Sequence, residues 1–340
     1  MKSKDRNFFH NIFEEKRLSR TEKSFAFTGK NEKGFLKWRE SFRYALMKEL
    51  KLPRKKIPLC PETVERTVFG DYIREKVIYN LEEGLSAAAW ICRPKKKTNA
   101  KFPAVLCCHG HGPGKDPLVG LYRGKECLEY HKMVSVRLAR KGFLTLTPDR
   151  RGYGDCSQFV NGYPGIDDLK KLDDFYRRKG SSLLSLDIAD GIRAIDLLNE
   201  LDMADSEKTG CLGVERGATV AACLSALEER VKAVSLTSFI SSDGGIPGVS
   251  RQNEFFTRIG TLELCSLIAP RPLLLQIPVA DTVIPHERAR KAIPLVKNTY
   301  AFFHAEEMCE GFEFDGVLEL DYQSLEGWLV KHLNVQDVSR

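Results

Sequence analysis

Residues 103–108 read Pro-Ala-Val-Leu-Cys-Cys, an apolar run with no alternating polar position. A strand with one solvated face alternates polar and apolar residues, so a run of this kind has to be covered on both faces. It ends in His109-Gly110-His111-Gly112, a glycine-rich loop. A second run, Gly142 to Thr147 (GFLTLT), ends in Pro148-Asp149-Arg150-Arg151-Gly152, and further strands are expected at 209–213, 231–238, 272–278 and 299–304. Helical patterns alternate with them, around 125–141, 181–201, 217–228, 286–297 and 320–333. In the second of these Leu184, Ile188, Ile192, Ile195 and Leu198 share one stripe. Residues 73–80 and 84–92 read as an antiparallel pair joined by Glu82-Glu83-Gly84. Such alternation predicts an α/β fold, a mainly parallel central sheet covered by helices on both faces.

The first 60 residues differ in character. Phe35, Trp38, Phe42, Leu46 and Leu50 recur at three- and four-residue steps, giving an amphipathic helix that must bury its stripe, and Pro53, Pro58 and Pro61 then break the chain. The expected organisation is an N-terminal helical extension over 1–60 and an α/β domain over 61–336. Two irregular stretches, near 152–180 and 240–262, follow strand ends, where open sheets carry their sites, and are expected to form a pocket. The extension could cover the core, shape the pocket rim or make a homodimer contact.

Charge and cysteine usage narrow the partners. The net charge of +7 is spread along the chain, and its short basic runs, Lys51 to Lys56 and Lys95 to Lys97, sit beside prolines as solvated loops do. Basic residues do not interleave with aromatics along one element, so no nucleic-acid partner is expected. No apolar stretch reaches membrane-spanning length, and no membrane partner is expected. Of ten cysteines, Cys92, Cys107, Cys108, Cys211 and Cys223 lie in apolar runs, and no Cys/His cluster has zinc spacing. The N-terminus has acidic residues and no apolar core of signal-peptide length, so a cytoplasmic protein without cofactor or metal is expected.

Four segments, in order, resemble the α/β-hydrolases, in their dienelactone-hydrolase-like and acetyl-xylan-esterase-like branch. FPAVLCCHGHGPGKD resembles the oxyanion-loop segment and GFLTLTPDRRGYGD the strand and loop that follow it. GSSLLSLDIADGIRAIDLLNELDMADSEKTGCLGVERGA resembles the helix, strand and nucleophile elbow, and LIAPRPLLLQIPVADTVIP the segment with the catalytic acid. The resemblance runs from about residue 63 to 333 and implies the α/β-hydrolase fold. It also assigns positions. The elbow pattern G-x-S-x-G is Gly213-Val214-Glu215-Arg216-Gly217, with Glu215 at the serine position. Asp281 stands at the acid, and Phe312, in Gly311-Phe312-Glu313-Phe314, at the histidine.

A serine mechanism needs a hydroxyl and an imidazole to take its proton, oriented by the acid. Glu215 lacks the one and Phe312 the other, so the triad reads as degenerate. The expected function is therefore a non-hydrolytic pseudoenzyme that binds a small molecule or a partner. Glu215 would sit at a helix N-terminus and could fold back into the oxyanion cradle formed with His109, Gly110, His111 and Gly112, with Arg216 as a possible ion-pair partner. The alternative is a repurposed enzyme, an unusual hydrolase, lyase or isomerase, with Glu215 as nucleophile or general acid/base beside Asp281. That reading needs a substitute base. His109 and His111 are expected to shape the loop, His286 to lie at a helix start and His304 in the last strand. Asp149, Arg150 and Arg151 read as a structural turn. Whether Glu215 titrates high or low stays open, since burial and Asp281 oppose the helix terminus and Arg216.

Overall fold

The computed structural model describes residues 25–335 apart from 28, 30, 54, 97–99, 123–124, 127–129, 159–162, 243–244, 248 and 250–253. Residues 1–24 of the expected extension therefore lie outside the described residues, as do parts of the two irregular stretches.

The apolar runs become the centre of a nine-stranded sheet. In chain order its strands are β1 (Glu62–Val68), β2 (Tyr72–Glu82), β3 (Leu85–Pro94), β4 (Phe102–Cys108), β5 (Leu144–Pro148), β6 (Ala204–Val214), β7 (Val231–Thr237), β8 (Leu273–Pro278) and β9 (Cys309–Phe314). They lie side by side as β1-β2-β3-β5-β4-β6-β7-β8-β9. The first three run antiparallel to their neighbours, and every pair from β5 to β9 is parallel. In β4 the alternation of side chains divides the run between two cores. Ala104, Leu106 and Cys108 face one, and Val105 and Cys107 the other.

Helices cover both faces. The first core takes α1 (Glu32–Leu50), α4 (Leu183–Glu200), α5 (Arg216–Leu227), α6 (Thr261–Ile268) and α7 (His286–Tyr300). The second takes α2 (Val134–Arg140) and α8 (Tyr322–Leu333). A further helix, α3 (Ile166–Arg178), lies in the first stretch read from the sequence as irregular. It carries Asp167 and Asp168 in its first turn and Arg177 and Arg178 in its last, the polarity a helix dipole favours. Leu169, Leu172 and Tyr176 give it a narrow apolar stripe against Tyr153 and Leu183.

The stripe on α1 is buried as its spacing demands. Asn31 caps the helix by accepting the Gly34 N–H, and Phe35, Phe42, Leu46 and Leu50 are removed from solvent. Arg43 reaches the Leu227 carbonyl at the end of α5, and Arg39 the Ala269 carbonyl after α6. Phe42, Leu46 and Leu50 belong to the same core as β2 and β3.

Two expectations fail at the C-terminal end. No strand forms at 299–304. Instead α7 continues to Tyr300 and is followed by a 3-10 turn over Ala301–Phe303. Phe302 and Phe303, read as strand formers, instead pack on Phe35 of α1. His304 is accordingly an exposed residue ending that turn, outside any strand. The last strand is β9, which begins at Cys309. In the expected helix over 125–141, regular turns begin only at Val134, because His131, Lys132 and Met133 adopt left-handed backbone angles.

If α1 is part of the main core, Phe42→Ala should destabilise the whole chain by about 3–5 kcal/mol in one cooperative transition. Urea unfolding followed by tryptophan fluorescence and far-UV circular dichroism checks this. Separate transitions with an unchanged main midpoint would overturn it.

Candidate functional site

The site is organised by the turn between β6 and α5. Glu215 occupies it with φ 52° and ψ −117°, a conformation that favours glycine. Its N–H donates to the Thr237 carbonyl at the end of β7 (3.0 Å), and its carbonyl accepts the Thr219 N–H (3.1 Å), which starts the helix. The flanking glycines are required by close backbone approach. A Cβ on Gly217 would collide with the carbonyls of Cys108 and His109, and one on Gly213 with Gly217 and Ala218.

The loop after β4 lies over this turn. The Glu215 side chain, 7% exposed, bends toward it, and Oε2 accepts the His111 backbone N–H at 3.1 Å. A Cβ on Gly110 would sit in contact with that carboxylate and against the Val214 carbonyl. Gly112 continues the loop at φ 141°. Burial is the largest influence on Glu215 and pushes its carboxyl up; the His111 N–H and the Arg150 guanidinium pull it down, Asp281 pushes it further up and Arg216 opposes. The net direction is up, which resolves the sign left open by the sequence.

His109 is a fixed part of this loop. Its Nε2 accepts the Arg150 N–H (3.1 Å), so Nδ1 carries the proton and donates to the Gly110 carbonyl (2.9 Å). Burial and Arg150 hold its pKa well below the usual value, so the ring is neutral. His111 is half-buried, edge-on to Tyr163 with ring centroids 5.2 Å apart, and its pKa is likewise lowered by burial and by Arg216.

The protein of Bacillus subtilis (strain 168) named YtaP, a candidate hydrolase, is 28% identical over 259 residues, 72% of this chain and 82% of YtaP. A family model, the Abhydrolase family, matches residues 4–167. Among solved structures, a candidate acetyl xylan esterase of Bacteroides fragilis NCTC 9343 superposes with a TM-score of 0.77. It is 16% identical, with 92% of this chain and 84% of that one covered. The methylesterase BT1017 superposes with a TM-score of 0.72 at 16% identity, over 95% and 69%. The chain has the α/β-hydrolase fold.

In α/β-hydrolase terms, Glu215 stands on the elbow, and Asp281 follows β8, the strand that precedes the acid. Asp281 is half-buried, and its Oδ1 accepts the N–H groups of Val283 (2.7 Å) and Ile284 (3.0 Å). Phe312 lies on the edge strand β9, opposite Gln276 of β8, is 38% exposed, and stacks on Phe314 at 6.3 Å between centroids. Beside it His286 is held by Glu313, Nε2 to Oε2 at 2.7 Å. No imidazole is in hydrogen-bond contact with Glu215 among the described residues. Arg216 makes no ion pair with Glu215 either; it acts at longer range. Cys107 is buried and its thiol is pushed up to about 12, so it is no thiolate. Among the described residues no group of three or more His, Cys, Asp or Glu could hold a metal ion, and no helix is long and apolar enough to cross a membrane.

The turn after β5 divides its charges. Asp149 accepts from the Lys115 N–H (2.9 Å), Lys115 Nζ (2.6 Å) and the Asp155 N–H (2.8 Å), and Arg151 binds Asp190 and Glu82. These are structural ties. Arg150 points elsewhere, toward a cavity of about 440 Å³ that it lines together with Arg216, Asp187, side chains of α3, and Pro247 and Val249. Sequence reading treated Arg150 as a turn residue and did not single out Asp187. The available signal was Asp187, a charge within the apolar pattern of 181–201.

Because its carboxyl titrates higher in the folded chain than in the unfolded one, folding takes up a proton between the two values. The wild type therefore loses stability as the pH rises through that window. Glu215→Gln has no such titration. The unfolding midpoint of wild type minus that of Glu215→Gln should be more positive at pH 4 than at pH 8. A difference that is flat or of opposite sign would show that the carboxyl is not pushed up by burial.

Proposed function

We propose that this α/β-hydrolase-fold protein is a non-hydrolytic pseudoenzyme that binds a small molecule. The carrying observation is the Glu215 carboxylate accepting the His111 N–H. In an esterase the elbow side chain attacks and the loop N–H receives the oxyanion; here one side chain fills both places. Esterase chemistry would also lack its base, because Phe312 has no proton acceptor.

The repurposed-enzyme reading has less support. A carboxylate nucleophile forms an ester intermediate that water must then cleave with the help of a base. His109 uses both ring nitrogens on backbone groups of the loop and of the turn after β5, and His286 is engaged by Glu313. The cavity beside the elbow supports binding as the retained role, since a site of that volume with convergent charged groups suits a small ligand.

Initial rates on a panel of activated esters test this. Wild type should stay within about tenfold of buffer, since loss of triad members typically removes several orders of magnitude. Glu215→Gln should be no slower, and Glu215→Ser should gain at most weak turnover. Clear wild-type turnover that disappears in Glu215→Gln would overturn the proposal and make Glu215 the centre of catalysis.

A further inference from the structure

The inner wall of the cavity carries two arginines, Arg150 and Arg216. Arg150 is 6% exposed; its Nε and Nη2 are shut off from solvent and have no hydrogen-bond acceptor among the described residues, which leaves Nη1 as the nitrogen through which it lines the cavity. Asp187 Oδ2 stands 3.8 Å from Nη1, and the other neighbour is the face of Tyr153, 4.6 Å from the guanidinium carbon. Arg216, beside it, makes no hydrogen bond or ion pair among the described residues, and burial and Arg150 lower its pKa. Two like charges held together in this way cost stability unless an anion faces them.

The other cations of the cavity are already satisfied. Arg177 binds Asp173 (2.6 Å), whose second oxygen accepts the Leu183 N–H, and Lys170 binds Asp167 at the exposed end of α3. The Thr219 hydroxyl donates to the Pro247 carbonyl. Most of the remaining wall is apolar: Leu169, Leu183, Leu184, Val220, Pro247 and Val249.

We propose that this cavity binds a small organic carboxylate, its carboxyl group received by Arg150 and Arg216 and its apolar body by the walls from α3, α4 and α5. This deepens the binding role proposed above and rests on it. A planar carboxylate offers two acceptor oxygens that can meet both guanidiniums. A single negative charge also fits better than two, because Asp187 and Glu215 already offset part of the positive charge. Apolar walls favour a hydrocarbon body over a polyhydroxylated one, whose hydroxyls would lose water without finding partners.

Titration calorimetry on the full chain with benzoate tests this. Benzoate should bind one to one, and neutral benzamide at least about tenfold more weakly, as loss of charge-assisted hydrogen bonds implies. Arg216→Gln should weaken benzoate by at least about tenfold and leave benzamide unchanged, with Arg216→Lys between. Equal binding of benzamide, tighter binding of phenyl phosphate, an unaffected Arg216→Gln or no benzoate binding would each overturn the assignment. The wild-type comparison of benzoate with benzamide stands even if an arginine variant fails to fold. Hydrolysis of methyl benzoate by wild type would instead overturn the non-hydrolytic reading and leave the carboxylate assignment to the binding data.

Discussion

The backbone of α5 enters the molecule so close to the end of β4 that only hydrogen fits at position 217, and the rest of the site follows from that approach. It forces Glu215 into a positive-φ turn and brings the loop after β4 over it. That loop is in turn tied to the turn after β5 through His109 and the Arg150 N–H. Three strand ends are therefore fixed to one another by backbone and near-backbone contacts, with little dependence on what the elbow side chain is. A glutamate can occupy this turn because the scaffold holds its shape without help from that side chain.

Electrostatics around the elbow fall into two kinds. Lys115, 1% exposed, meets Asp149 and Asp155, and Arg151 meets Asp190 and Glu82. Buried charges paired in this way avoid the several kcal/mol that an isolated ion would cost. Arg150 is the next residue to Arg151 and is equally removed from solvent, yet two of its three nitrogens lack acceptors. The contrast lies within a single turn. One arginine closes the structure; its neighbour lines an internal cavity with bonding capacity unused.

How much of this was legible depends on burial. Strands apolar on both faces, β4 above all, show in the sequence because the sheet interior admits nothing else. The edges do not. In β1 nearly every residue is exposed and its sequence, ETVERTV, carries no apolar pattern. In β9 the residues CEGFEF are half-solvated, while the aromatic pair at 302–303 that mimics a strand serves α1. At the site, the glycine spacing located Glu215, and the length of its side chain predicted the reach toward the loop. The direction of its titration needed the degree of burial, and the role of Arg150 needed knowledge of which carboxylates its neighbours had already claimed. Both are properties of tertiary packing, absent from any local pattern.

The same two guanidiniums that line the cavity also lower the pKa of Glu215. Each therefore serves two anions, one covalently attached and one that the cavity would admit. A carboxylate ligand held by Arg150 and Arg216 would place a second negative charge in their field and weaken their hold on the ionised form of Glu215. Linkage then requires that Glu215 bind a proton more readily in the occupied state, and equally that the ligand bind more tightly where Glu215 is protonated. An elbow carboxylate pushed up by burial is suited to that exchange, because little further change is needed to neutralise it. On this view the carboxylate on the elbow also adjusts the charge of the pocket beside it.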